Sequence, residues 1–228
     1  MIPTSDRPIY TSFAWAYDLV VPSAAAPQPD EVARLLAGRR SIADVGCGTG
    51  RYSAALADAG FDVTAIDTSP AMIEVARARA PQAAFEVADL FSWRPPFPVD
   101  GVLCRGVLHD ITEDEDRQRA LDSLYLMLRP GGLLVLSVGE IEKTRARYAR
   151  EPVVTRSADG IFFRSEGHFA GDIVIVDETI SSQDARAGHR FQMRPWSLSE
   201  VDERAAAAGF TRVERRVAGD RIVAACVR

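Results

Sequence analysis

Asp44-Val45-Gly46-Cys47-Gly48-Thr49-Gly50 (DVGCGTG, residues 44–50) follows a short apolar run, Ser41 to Val45, and precedes Tyr52 to Ala59, which reads as a helix. A glycine cluster between a strand and a helix has structural meaning, because glycine lets the backbone turn tightly and approach a ligand closely. The spacing is Gly-x-Gly-x-Gly, not the Gly-x-Gly-x-x-Gly of a dinucleotide fingerprint, and no lysine follows as in a phosphate-binding P-loop. Asp44 ahead of the loop would repel a polyanion and suits an ammonium group.

Outward from the loop the rhythm is strand, turn, helix. Phe61 to Ile66 reads as a strand, Pro70 to Ala80 as a helix, Ala84 to Val87 as a third strand, and Gly101 to Cys104 lies in a fourth. Thr112 is placed to cap a helix with Glu113, Asp114 and Glu115 in its first turn and Leu121, Leu124, Tyr125 and Leu128 on its buried side. Arg129-Pro130-Gly131-Gly132 stops that helix, and Leu133 to Val138 is a continuous apolar strand, suited to a sheet covered on both faces. Alternation of this kind implies parallel βαβ units.

From Gly139 the alternation breaks. A helix to about Tyr148 is followed by β-rich runs at Ile161 to Arg164, Ile173 to Ile180 and Arg190 to Met193, which favour antiparallel hairpins. Ser197 to Gly209 reads as a helix with Ser197 and Glu200 in capping-box spacing. Thr211 to Val217 and Arg221 to Val227, joined through Gly219-Asp220, form a closing hairpin. The first 38 residues are aromatic and proline-rich: Tyr10, Phe13, Trp15 and Tyr17, a turn-forming segment from Pro22 to Pro29, then a short amphipathic run ending at Gly38.

The 228 residues suffice for one core and a subdomain. With 47% hydrophobic and 26% charged residues the chain is ordinary for a globular protein, which removes disordered and fibrous classes. A net charge of −5 weighs against general nucleic-acid binding, which needs dense cationic neutralisation of phosphates. No apolar run reaches membrane-span length and Met1 to Asp6 lacks a secretory pattern, so a cytoplasmic protein is expected. Three widely spaced cysteines (Cys47, Cys104, Cys226) suggest neither a disulfide framework nor a metal cluster, and no metal is expected.

Further acids fall at strand ends. Asp67 closes the second strand, where a carboxylate can accept both hydrogen bonds of a ribose diol, and Asp89 closes the third, where one can accept from an adenine amino group. In open α/β sheets ligands bind beyond the carboxyl ends of strands, where strand order reverses, so Asp44, Asp67 and Asp89 point into one crevice.

DVGCGTG (44–50), Ile66-Asp67-Thr68-Ser69-Pro70-Ala71-Met72, Ala88-Asp89-Leu90 and Leu128-Arg129-Pro130-Gly131-Gly132 together resemble the class I S-adenosylmethionine-dependent methyltransferases. The resemblance covers residues 30 to 140 strongly and the terminal helix and hairpin loosely. It implies a Rossmann-like, doubly wound, mostly parallel seven-stranded sheet with an antiparallel last strand, plus an antiparallel β insertion covering the active site. It implies S-adenosylmethionine as cofactor. Asp44, Gly46, Cys47, Gly48 and Gly50 would wrap its methionyl part; Asp67 and Thr68 would hold the ribose; Asp89 and Leu90 would read the adenine, with Met72 packed against it. Cys104 and Arg105 would be backbone neighbours of the methionyl amine, and Tyr17 the tyrosine of an N-terminal lid, with Tyr10 second. The corresponding domain division is a lid at 1–38, a core at 39–138 and 197–228, and a β-rich cover at 139–196.

The segment after the fourth strand lacks the Asn-Pro-Pro-Tyr type of motif used on base amines and glutamine amides. The expected reaction is therefore methyl transfer to N, O or C of a small-molecule metabolite, natural products included, with no nucleic-acid or membrane partner. The alternatives are a fold relative that binds the cofactor without transferring methyl (a pericyclase-like enzyme or a binding module) and a protein or RNA methyltransferase. Transfer from a sulfonium needs alignment first and a base only when the nucleophile must lose a proton. His109 is the candidate base, with a structural histidine as the equal reading. Substrate candidates are Trp15 and Trp196 as apolar walls, against core packing as the default, and His168, which shares a strand face with Arg164 and Glu166, against a solvated outer face. His189 and Arg194 are further polar candidates. In sugar-amine and glycine-type N-methyltransferases a similar insertion sometimes builds a dimer, which leaves a homodimer open.

Overall fold

The computed structural model describes residues 6–21 and 27–228. The reading of Met1 to Ser5, and of Pro22 to Ala26 as turn-forming, lies outside the described residues.

Apolar runs set the central sheet. β1 (Ser41–Val45) pairs in parallel with β2 (Asp62–Asp67) on one side and β4 (Val99–Arg105) on the other. β3 (Ala84–Val87) extends the β2 side; β5 (Leu128–Gly139) extends the β4 side. The order reverses between β1 and β4, which is where an open α/β sheet makes its crevice. Period-2 alternation assigns the two faces. Val102 and Cys104 of β4 and Leu134, Leu136 and Val138 of β5 enter one core cluster, while Leu103, Leu133 and Val135 enter the other. α2 (Pro29–Leu35) precedes β1, and α3 (Arg51–Asp58) and α4 (Pro70–Arg79) connect β1 to β2 and β2 to β3. α5 (Asp114–Met127) and α7 (Leu198–Ala208) pack on each other and on the β4–β5 side. A four-residue helix, α1 (Tyr17–Val20), belongs to the N-terminal segment.

Two readings of helix ends are corrected. Glu113, not Thr112, is the N-cap residue of α5; the Thr112 hydroxyl donates to the Glu113 carboxylate instead of accepting a helix N–H. Residues 128–132 do more than stop α5: they are already extended in β5, and Gly131 and Gly132 exchange backbone hydrogen bonds with Arg228 at the chain's other end.

β11 (Arg221–Val227) runs antiparallel to β5, and β10 (Arg212–Ala218) completes the seven strands in the order β10-β11-β5-β4-β1-β2-β3. After α6 (Ile141–Arg150), four strands form a separate antiparallel sheet: β6 (Val153–Ala158), β7 (Ile161–Ala170), β8 (Ile173–Ser181) and β9 (Arg186–Met193). β6 adds a strand to the three runs read from sequence; its Thr155, Arg156 and Ser157 interrupt the apolar signal. One face of this sheet, through Ile161, Phe163 and Ile180, packs on Ile9, Phe13, Ala16 and Val20 of the N-terminal segment.

Candidate functional site

At the carboxyl ends of β1, β2 and β4 lies a cavity of about 710 Å3, roofed by the N-terminal segment and by β7–β9. The glycine loop forms its floor. Gly46 and Cys47 both donate their N–H to the Ile66 carbonyl, at 2.8 and 2.9 Å, so the loop is tied to the end of β2. Gly46 has φ +73°, and a Cβ there would lie 2.1 Å from Val107 Cγ2, in the segment after β4. Gly48, at φ +54°, faces open space.

The acids are held without being used up. Asp67 Oδ2 accepts from Gly48 N and Oδ1 from Ser69 N, both at 2.9 Å, which leaves each oxygen a further lone pair toward the cavity. Burial raises its pKa against these hydrogen bonds. Asp44 is 3% exposed, accepts from Ser53 Oγ at 2.6 Å, and is pushed up to about 6 by burial. Asp89 accepts from Phe91 N at 2.8 Å, while its Oδ2 is sealed from solvent with no hydrogen-bond partner among the described residues. Ala88 and Leu90 on either side of it line the cavity, but Asp89 itself does not. An ammonium and a vicinal diol would satisfy the two of these carboxylates that line the cavity, Asp44 and Asp67.

Met72, in the first turn of α4, lines the cavity with Thr68. Its N–H is capped by Ser69 Oγ at 3.2 Å, and that hydroxyl in turn donates to the Tyr10 carbonyl. Tyr10 and Tyr17, with ring centroids 5.8 Å apart, both face the cavity. Their phenols are held protonated, chiefly by burial. Arg7, which no sequence signal singled out, makes a two-pronged pair with Glu178 of β8 at 2.7 and 3.1 Å, donates to Tyr10 Oη at 2.8 Å, and lies over the Phe191 ring at 3.8 Å. A lone arginine and a lone glutamate 171 residues apart carry no pattern that sequence could reveal.

His109 lines the cavity in a 3-10 turn, Leu108–Asp110, after β4. Burial, with Arg221, Arg7, Arg117 and Arg105 adding to it, holds its pKa well below the usual histidine range, so it is neutral at neutral pH. Its Nδ1 has no hydrogen-bond partner among the described residues, and Nε2 lies 3.7 Å from Asp110 Oδ1. Arg105 reaches the same cavity across the Tyr52 ring, at 4.6 Å.

Several sequence candidates stand elsewhere. Gly50 caps α3 beneath the loop; a Cβ there would meet Ala76 at 2.8 Å, so packing against α4 requires the glycine. Cys104 is fully buried in the core and does not line the cavity. Trp15 is 57% exposed and outside the cavity. Trp196 is fully buried, donates to the Leu108 carbonyl at 3.2 Å and stacks under Arg117, so core packing accounts for it. His168 points to the outer face of β7, because Phe163 and Ser165, one pleat out of step, are the residues facing the cavity. Arg194 pairs with Asp114 at 2.9 Å, in a second, open groove between α5, α6 and α7. His189, by contrast, lines the cavity. Among the described residues no three His, Cys, Asp or Glu side chains are grouped to hold a metal, and no helix is long and apolar enough to cross a membrane.

Residues 42–132 match the model of a methyltransferase domain. The chain is 39% identical over 117 residues to the trans-aconitate 2-methyltransferase of Methylobacterium radiotolerans, covering 49% of this chain and 43% of that protein. It is 36% identical over 120 residues to the ubiquinone biosynthesis O-methyltransferase of Xylella fastidiosa, covering 50% and 46%. It thus spans less than half the length of these curated relatives. Among solved structures, an S-adenosylmethionine-dependent methyltransferase from Clostridium acetobutylicum superposes with a TM-score of 0.78 over 95% of this chain and 97% of that one, at 14% identity. The strand order and covering sheet are therefore a shared fold.

Proposed function

We propose, from the premise that this chain carries a class I S-adenosylmethionine-dependent methyltransferase domain, that it transfers a methyl group from S-adenosylmethionine to N, O or C of a small-molecule acceptor. One observation carries the reading: Asp44, Asp67 and a glycine loop converge at the switch point, and both acids line the same crevice.

The residues fit the cofactor. Asp44 suits its ammonium and the two oxygens of Asp67 its ribose diol, with Met72 and Leu90 as apolar neighbours, while Asp89 would meet the adenine amine only with its side chain turned into the cavity. When bound, it would supply an activated methyl on a sulfonium. The protein's own task is then positional: Tyr10, Tyr17 and the inner residues Phe163, Val176 and Phe191 exclude water and confine the acceptor. Where the acceptor's nucleophile carries a proton, His109, a neutral imidazole on the cavity wall, is the candidate to accept it.

The size and enclosure of the cavity favour a metabolite over a polymer, and the trans-aconitate and ubiquinone-pathway relatives bear names of small-molecule enzymes. The division into lid (1–38), core (39–138 and 197–228) and cover (139–196) is part of the same proposal, as are a cytoplasmic location and an optional homodimer.

Incubation with methyl-labelled S-adenosylmethionine and a metabolite library, followed by mass analysis, tests the activity. Label in a small molecule supports it; label only in protein or RNA overturns the acceptor class; binding with no transfer returns a non-catalytic fold relative. Asp67→Ala is expected to weaken cofactor binding by at least about tenfold, since two charge-assisted hydrogen bonds are lost. His109→Gln is expected to lower turnover by about 100-fold or more with cofactor affinity unchanged; unaltered turnover would leave His109 as a wall of the site.

A further inference from the structure

Six arginines face the large cavity: Arg7, Arg51, Arg105, Arg147, Arg156 and Arg221. The fold itself answers several of them. Arg7 has Glu178, Arg147 has Asp220 at 3.2 Å, and Arg156 donates to the Val20 carbonyl at 2.8 Å. Arg221 is different. It opens β11 opposite Gly139, and among the described residues its side chain makes no hydrogen bond and no ion pair. Its Nη1 is sealed from solvent. Asp220, the neighbouring carboxylate, attracts Arg221 without a hydrogen bond or ion pair to it and is engaged by Arg147, while Arg105 and Arg147 both repel the Arg221 charge. A cation enclosed beside other cations is costly unless something pairs with it.

We propose that Arg221, with Arg105 beside it, is an anion subsite for the acceptor, which therefore carries a carboxylate or phosphoryl group docked next to His109. The proposal rests on the methyltransferase reading and narrows its substrate class. A guanidinium fork matches either anion in two-pronged geometry. The cofactor's own carboxylate is the competing occupant, and the backbone position of β11 favours the acceptor over it. Asp44 and the glycine loop lie at β1, whereas β11 stands three strand spacings away, about 14 Å. The Arg221 side chain shares the cavity wall with Arg147 and Tyr148 on the cover side, and its charge acts on Tyr17 and Tyr52 as well. The placement also couples to His109. Arg221 is the foremost of the charges that oppose protonation of that imidazole. An acceptor anion on Arg221 would offset this charge and make His109 a better proton acceptor only when the acceptor is present.

The test uses the full chain saturated with S-adenosylhomocysteine and three probes: citrate, inorganic phosphate, and uncharged trimethyl citrate, with binding read by calorimetry. Citrate or phosphate should bind, the one that binds distinguishing carboxylate from phosphoryl acceptors, and trimethyl citrate should not. Arg221→Met should weaken the anion at least about tenfold while leaving S-adenosylhomocysteine affinity within about twofold, and Arg221→Lys should fall between. Arg221→Met should also melt higher than the wild type without ligand, because an unpaired buried cation is removed, so loss of anion binding cannot be ascribed to unfolding. Binding of neither anion, or equal binding to Arg221→Met, overturns the proposal while leaving the methyltransferase reading intact. A tenfold loss of S-adenosylhomocysteine affinity in Arg221→Met also overturns it and hands the arginine to the cofactor. Failure of the wild type to bind S-adenosylhomocysteine removes the methyltransferase reading and the proposal together.

Discussion

At Asp44, burial competes with function. A carboxylate raised from 3.8 to about 6 in the folded chain favours folding most at low pH, and that contribution, about 3 kcal/mol, is lost as pH rises through about 6. Asp44→Asn is therefore expected to raise the ligand-free melting temperature at pH 8 and to leave it nearly unchanged at pH 4, in scanning calorimetry. In the proposed function the same ionisation would serve the ligand's ammonium. An ammonium on Asp44 draws its pKa back down, so S-adenosylhomocysteine affinity should climb as pH rises from 5 to 7 and level off above, with proton release near pH 6; a pH-independent affinity would remove Asp44 from ammonium binding. Gly46 gives a contrasting case. Alanine there meets both a left-handed φ and Val107 at 2.1 Å, and is expected to cost about 2–4 kcal/mol by denaturant titration. Gly48→Ala, with open space, should cost about 1 kcal/mol. Sequence spacing singled out these glycines together with Gly50 as one ligand loop. What separates Gly50 from the other two is its contact with Ala76, on another helix, and no local pattern encodes that.

For the elements, apolar runs and caps were enough to place most strands and helices, because each signal lies within the segment it describes. Ser197 shows both the reach and the limit of such reading. Its hydroxyl does accept from Glu200 N, at 3.0 Å, as a cap should. The Glu200 carboxylate, however, does not complete a capping box; it receives Arg117 Nε and Nη2, both at 2.8 Å, and Arg204 Nε at 2.8 Å. Arg117 is fully buried in α5, donates also to the carbonyls of Ile111 and Arg194, and covers the Trp196 ring at 3.9 Å. It thus pins α7 and the segment before it to α5. Partners 83 residues apart cannot be paired from sequence, and α5 gave only an amphipathic stripe. Ser197→Ala should cost about 1 kcal/mol. Glu200→Ala should cost about 3 kcal/mol or more, since it strands a buried guanidinium. Equal losses in denaturant melts would show that α7 is held by its cap rather than by the ion pair.

Across the whole molecule, the N-terminal segment is the tie between core and cover. It reaches the cover through Arg7 and Glu178, the β2–α4 corner through the Tyr10 carbonyl and Ser69, and the glycine loop through Asp18, which accepts from Thr49 Oγ1 at 3.0 Å and pairs with Arg79 at 2.5 Å. The tie joins the roof and the floor of one cavity. The Arg7–Glu178 pair is the place to measure it, because both side chains are about one-tenth exposed. Each single change, Arg7→Met or Glu178→Met, leaves one buried charge without its partner and is expected to cost about 3 kcal/mol, whereas the double variant leaves neither. The double-mutant cycle in urea should therefore be strongly non-additive, with a coupling of about 1.5–3 kcal/mol. Repeated with S-adenosylhomocysteine bound, the cycle also reports on function. If the N-terminal segment links cover to cofactor loop, each single variant should lose ligand affinity although neither residue belongs to the glycine loop, and hydrogen exchange should rise at 46–50 as well as at 161–180. Additivity within about 0.5 kcal/mol, or faster exchange confined to the cover, would mean that roof and floor move independently.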